Sequence, residues 1–72
     1  MREYSRIIIE EYCMTHNSAK SRRLGLLVES SYDLGYEYTD DDAIFLENAI
    51  RREKDPELKE ALEDLDSFLG CY

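Results

Sequence analysis

Residues 55–70 carry the pattern that most constrains the fold, because they predict a long amphipathic helix. Asp55 can accept a hydrogen bond from a free backbone N–H at a helix start, and Pro56 follows where a missing N–H costs nothing. Gly70 is placed to end this helix in a left-handed conformation. Between them, apolar residues recur every three or four positions, forming a stripe of Leu58, Ala61, Leu62, Leu65, Phe68 and Leu69.

A chain of 72 residues is predicted to form one domain, residues 1–72. A domain of this size buries only about 60% of the surface that its unfolded chain exposes. Small domains often gain stability from a disulfide, a metal or a second copy of themselves. We expect a homodimer to be the simplest source of additional stability, since the apolar stripe of 55–70 is broad for so small a core to cover.

Two further helices are predicted from capping residues and apolar spacing. Ser18 is a candidate N-cap for a helix that should run to Gly35, and Thr39 is a candidate N-cap for the next. Acidic residues in the first turn of that next helix and basic residues near its end both complement the helix dipole. These are Asp40, Asp41, Asp42, Arg51, Arg52 and Lys54. Together with 55–70, this helix predicts a helical hairpin over residues 39–70.

Residues 2–15 fit two structures. A helix would bring Tyr4, Ile7, Ile8 and Tyr12 onto one face, whereas the β-branched run 7–9 also suits a strand. We favour the helix, because Glu10 and Glu11 break the alternation of a strand. The predicted fold is therefore all-α, a small bundle of three to four short helices with a C-terminal helical hairpin. The alternative is an α+β fold in which residues 4–14 form a strand paired to residues 36–38.

Motifs for catalysis are missing from the sequence. The chain has one histidine, no serine–histidine–acid spacing and no glycine-rich phosphate loop. We therefore expect a protein that is not an enzyme and needs no cofactor.

The two cysteines are candidates for a metal site or for a disulfide. Cys13 and His16 have a C-x-x-H spacing, and Cys71 supplies a third candidate ligand, but structural zinc takes four ligands. We therefore expect no metal site. Cys13 and Cys71 could pair, although two cysteines in a cytoplasmic chain are more often reduced thiols.

The overall charge limits the partners. Seventeen acidic residues against nine basic ones give a net charge of −8, which repels nucleic acid and anionic membranes and attracts basic proteins. No apolar run approaches the roughly 20 residues of a membrane span. The first residues lack an apolar leader with a cleavage site, so we expect a cytoplasmic protein without a membrane association.

The acidic residues are unevenly distributed along the chain. Residues 1–23 carry a net charge of +2, residues 24–50 a net −7 without one lysine or arginine, and residues 51–72 a net −3. We call residues 29–47 the acidic segment. Its acidic and tyrosine side chains are the predicted partner-binding residues: Glu29, Asp33, Glu37, Asp40, Asp41, Asp42, Glu47, Tyr32, Tyr36 and Tyr38.

Carboxylates on a rigid scaffold can imitate a row of phosphates, which DNA-binding proteins recognise mainly as charge. Tyrosines add contact area and hydroxyl groups at an interface. A solvated face with helix caps accounts for the same acids without any partner. The recognition hypothesis requires carboxylates that face outward and are not neutralised within the chain. The arginines that could neutralise these carboxylates are Arg22, Arg23, Arg51 and Arg52.

In size, charge and composition the chain resembles small acidic bacteriophage proteins that disable host factors, of the DNA-mimic type directed at histone-like nucleoid proteins. The acidic segment carries this resemblance. It implies a non-catalytic inhibitor that binds a basic, nucleic-acid-binding host protein and blocks its DNA site, without binding nucleic acid directly. The alternative is a helical adaptor or oligomerisation module. That module would work through the apolar stripe of 55–70, together with Ile7, Ile8 and Tyr12.

Overall fold

A computed structural model describes residues 1–70, which form four helices and no strand. The helices are α1 (Glu3–Thr15), α2 (Ala19–Ser30), α3 (Asp40–Arg52) and α4 (Pro56–Gly70). The predicted all-α fold is confirmed, and so is the C-terminal hairpin, in which α3 packs against α4. The α+β alternative is wrong, because the stretch proposed as its first strand is α1 and residues 36–38 belong to the connection between α2 and α3.

Ser18 and Thr39 are the N-caps of α2 and α3, as predicted, and each forms a reciprocal capping box that the sequence analysis did not predict. The Oγ of Ser18 accepts a hydrogen bond from the backbone N–H of Ser21 at 3.1 Å, and the Ser21 Oγ accepts one from the Ser18 N–H at 3.0 Å. At α3, Thr39 Oγ1 accepts from the Asp42 N–H at 3.1 Å, and Asp42 accepts from the Thr39 N–H. Each box satisfies two donors near the helix start that lack partners within the helix.

The predicted end of α2 at Gly35 is wrong, since the helix ends at Ser30. Side chains after this point hydrogen-bond to nearby backbone and replace the helical pattern with turns. Ser31 Oγ donates to the Val28 carbonyl, and Asp33 Oδ1 accepts from the Gly35 N–H at 2.9 Å. Leu34, whose apolar side chain would have extended the helical face, is fully exposed.

The apolar stripe of α4 is the centre of the core. Five of its six residues are buried: Leu58, Ala61, Leu62, Leu65 and Leu69. Phe68 is 44% exposed, because it lies at the edge of the stripe. The expectation that this stripe is too broad for the core is therefore wrong apart from Phe68, since α1 and α3 both pack against α4.

The sequence predicted the start of α4 correctly but not the conformation at its last residue, Gly70. At the start, Asp55 Oδ1 accepts from the Glu57 N–H at 3.1 Å, as its capping role predicted. At the end, Gly70 still belongs to the helix, and no glycine in residues 1–70 has a positive φ. The predicted left-handed conformation at Gly70 is therefore wrong.

Helix α1 runs antiparallel to α4 and buries a different face from the predicted one. Near its start, Arg2 reaches Asp64, and further along α1 lines a cleft beside Leu58. The buried residues of α1 are Ser5 and Ile9, whereas the predicted stripe members Tyr4 and Ile7 are exposed and Ile8 and Tyr12 are partly buried. The reason is that α1 packs against both α4 and α2, so the buried face is the one between these two helices and not the predicted stripe. Within the described residues, no helix has the length and apolar character needed to cross a bilayer.

Candidate acidic interaction surface

The acidic segment runs from the last turns of α2, along the connection of residues 31–39, into the first two turns of α3. It lies beside the C-terminal turns of α4, because Tyr38 of the connection contacts Asp66 and Gly70. The start of α3 and the end of α4 are therefore neighbours, as the antiparallel hairpin requires. This end of the molecule brings the carboxylate of Asp66 close to those of the acidic segment.

Six of the seven carboxylates in the acidic segment are exposed. Five of these six form no ion pair with any residue from 1 to 70. They are Glu29, Asp33, Glu37, Asp40 and Glu47. Asp40 and Glu47 are seven residues apart on the outer face of α3, about 10 Å along its axis. Two turns of one rigid helix thus hold two of these charges at a fixed separation.

Arg23 neutralises the other two carboxylates of the segment. Its Nη2 lies 2.6 Å from Asp41 Oδ2 and 3.3 Å from Asp42 Oδ1. The guanidinium carbon also lies 4.4 Å from the centroid of the Phe45 ring, which is a cation–π contact. Of the four arginines considered in the sequence, Arg23 is thus the one that pairs with the acidic segment, and the available charge is smaller than the sequence count indicates.

Asp42 is the most constrained carboxylate of the segment. Partial burial by itself raises the pKa of Asp42, but hydrogen bonds from Tyr36, Thr39 and Arg23 outweigh burial and lower it overall. Asp42 is therefore a structural anion that joins α3 to α2 and to the connection, and a poor contact for a partner.

The three tyrosines of the segment have different roles. The hydroxyl of Tyr36 donates to Asp42, and that of Tyr38 donates to Asp66 at 2.6 Å. Burial, and after it the Asp66 carboxylate, raises the pKa of Tyr38 far above its usual value. Tyr32 is 66% exposed. Of the predicted partner-binding tyrosines, Tyr32 is thus the one that presents most of its surface to solvent, whereas the other two hold the connection in place.

Cys13 has the chemistry of an inert thiol. Its Sγ donates to the Ser21 carbonyl at 3.2 Å, and burial together with Glu10 raises its pKa. Cys71 lies outside the described residues, so the pairing of Cys13 with Cys71 stays untested. Residues 1–70 contain no group of three or more histidine, cysteine or acidic side chains placed to hold a metal ion.

The alternative function, an adaptor working through the apolar stripe of 55–70 together with Ile7, Ile8 and Tyr12, finds part of its surface accessible on the monomer. Ile7 is 48% exposed, and Ile8 and Tyr12 line the cleft beside Leu58. The stripe itself is largely inaccessible. Leu58, Leu62 and Leu65 are in the core, so a partner would have to unfold the domain to reach them.

Comparison of the chain with protein-family models, with curated proteins and with solved structures gave no significant match.

Proposed function

We propose that this protein is a cytoplasmic, non-catalytic inhibitor that binds a basic, nucleic-acid-binding host protein, such as a histone-like nucleoid protein, and blocks its DNA site. The partner contacts the exposed carboxylates of the acidic segment. Association is driven by charge and excludes DNA, because both ligands need the same positive groove of the partner.

One observation carries this proposal: five exposed carboxylates without ion pairs lie in a stretch of 27 residues that has no lysine or arginine. Surface charge of one sign, held on folded backbone, steers an oppositely charged protein and raises the rate of encounter. Asp41 and Asp42 contribute less, since Arg23 already neutralises them. The contact surface is therefore centred on Asp33, Glu37, Asp40 and Glu47, with Tyr32 at its margin.

Binding to a purified histone-like nucleoid protein tests the proposal. Titration calorimetry at about 50 and 500 mM salt brackets the range over which screening acts on surface charge. We expect binding at low salt that weakens strongly at high salt, and displacement of DNA from the nucleoid protein. Absent binding, or binding of equal strength at both salt concentrations, contradicts the proposal.

Two charge-matched double variants locate the surface. Glu37→Gln with Glu47→Gln removes two exposed carboxylates of the acidic segment. Glu11→Gln with Glu63→Gln removes two exposed carboxylates of α1 and α4 and changes the net charge equally. We expect the first pair to weaken binding about tenfold or more and the second to change it far less. Equal effects would show that total charge, and not the acidic segment, determines binding.

A further inference from the structure

The outward face of α2 has a basic residue at one end, an acidic residue at the other, and a small and a large apolar residue between them. Arg22, Gly25, Leu26 and Glu29 follow the i, i+3, i+4, i+7 spacing of one helix face. They border a groove of about 600 Å³ between α1 and α2, which Met14 of α1 also lines. Leu26 is 63% exposed and Met14 is 87% exposed, so this is an apolar surface with Arg22 at one margin and Glu29 at the other. Glu10 of α1 also lines the groove, but its carboxylate is already paired with Arg6 at 2.8 Å.

Turning this face through a two-fold axis places complementary residues opposite each other. If a second α2 lies antiparallel, with the axis midway between Gly25 and Leu26, then Arg22 faces Glu29 of the second copy and Gly25 faces Leu26 of the second copy. Each contact occurs twice, as an isologous interface requires. We propose that this face forms a homodimer of the chain through antiparallel contact of the two α2 helices.

The charged residues at the margins are available for pairing between copies. Glu29 forms no ion pair within residues 1–70, and Arg22 donates to the neutral Asn17 Oδ1 at 3.2 Å. Arg22 and Glu29 are seven residues apart, about 10 Å along α2, which is too far for a salt bridge within one helix. A partner helix running in the opposite direction is the arrangement that brings these two charges together.

The centre of the face provides shape complementarity. A Cβ at position 25 would lie 3.9 Å from the Sγ of Cys13, so glycine leaves a depression where α2 meets α1. Leu26 of the second copy fills that depression and is covered by Met14, whose flexible side chain adapts to its neighbours. The apolar centre with a charged rim resembles other protein interfaces in composition.

A second copy fits this face better than a basic protein does. Arg22 repels a uniformly basic surface, whereas a copy of the same face presents one positive and one negative margin in matching order. The inference is independent of the proposed function, and it removes Glu29 from the surface available to a basic partner. The rest of the acidic segment stays exposed on both copies.

Charge reversal tests the dimer, with molar mass measured by sedimentation equilibrium at protein concentrations up to about 1 mM. We expect the wild type to approach twice the 8.5 kDa of one chain. Arg22→Glu alone and Glu29→Arg alone each place like charges opposite one another twice, which should raise the dissociation constant about tenfold or more. The double variant R22E/E29R restores opposite charges between copies and should recover dimerisation.

Recovery in the double variant is the decisive result, because the two residues cannot pair within one chain. Glu63→Arg is the control, since it reverses an exposed charge on α4 and should leave the mass unchanged. Circular dichroism of each variant checks that the helices are intact. A monomeric wild type, or single reversals without effect, or a double variant no better than the singles, would each overturn the proposal.

Discussion

Tyr38 and Asp66 are 28 residues apart in the sequence, yet the Tyr38 hydroxyl donates to an Asp66 carboxylate oxygen at 2.6 Å. This contact joins the connection between α2 and α3 to the last turns of α4. It holds residues 31–39 against the helical hairpin, although few of them pack into the core. The exposed carboxylates of that connection are therefore presented on a fixed backbone.

Tyr38→Phe is expected to lower the free energy of unfolding by about 1–2 kcal/mol, because it removes a partly buried hydrogen bond to a charged acceptor. Urea denaturation measures the change. The matched control is Tyr32→Phe, which removes the hydroxyl of an exposed tyrosine and should change stability by less than about 0.5 kcal/mol. If the two variants lose equal stability, the Tyr38–Asp66 contact does not anchor the connection.

Acid should destabilise the fold partly through Asp42. Its pKa is lower in the folded protein than in the unfolded chain, so its contribution is complete above the ordinary carboxyl pKa of about 3.9. That contribution is lost as the pH falls through the folded value. Asp42→Asn should therefore destabilise the protein at neutral pH, and its difference from the wild type should shrink below about pH 4. Urea midpoints measured across this range check the prediction, and a difference that stays constant with pH would contradict it.

Arg23→Gln is expected to have opposite effects on stability and on binding. Loss of the contacts to Asp41, Asp42 and Phe45 should lower the free energy of unfolding by about 1 kcal/mol, since Arg23 is partly exposed. Under the proposed function, the two released carboxylates should tighten binding to a histone-like nucleoid protein, as measured by titration calorimetry at low salt. Lys59→Gln makes the same change in net charge on α4, away from the segment, and should tighten binding less.

When a side chain in the apolar stripe of α4 is truncated to alanine, the loss in free energy of unfolding should follow how deeply that side chain is buried and not how hydrophobic it is. Leu65 is fully buried, so Leu65→Ala is expected to lower the free energy of unfolding by about 2–5 kcal/mol. Phe68 has the larger side chain but is partly exposed, and Phe68→Ala should be much milder. Chemical denaturation of both variants measures the difference. A greater loss for Phe68→Ala would mean that the stripe is covered by something other than α1 and α3, such as a second copy.

The sequence predicted the features that depend on neighbouring residues. The caps at Ser18, Thr39 and Asp55 are each formed with residues two or three positions away, so their spacing is visible in the chain itself. The hairpin of α3 and α4 follows from two adjacent periodic segments with almost no loop between them.

Features that depend on distant residues were missed. The sequence offers Arg23 as one of four candidate arginines but gives no local sign that it is the one that reaches Asp41, because the tertiary fold decides that contact. The sequence likewise gives no sign that Asp66 will accept a hydrogen bond from the Tyr38 hydroxyl. Because of this bond, Tyr38, which was predicted to bind a partner, has a structural role. The end of α2 was missed for a different reason, since Ser31 and Asp33 compete with the helix through their own hydrogen bonds.

The antiparallel packing of α1 on α4 brings the first and last helices of the chain into contact over much of their length. Arg2 strengthens this contact at one end through Glu60 and Asp64. Neither terminal helix can therefore fray without exposing the apolar face of the other. We expect amide hydrogens in the middle of α1 and α4 to exchange at similar rates, through the same global opening, so that the domain unfolds as one cooperative unit.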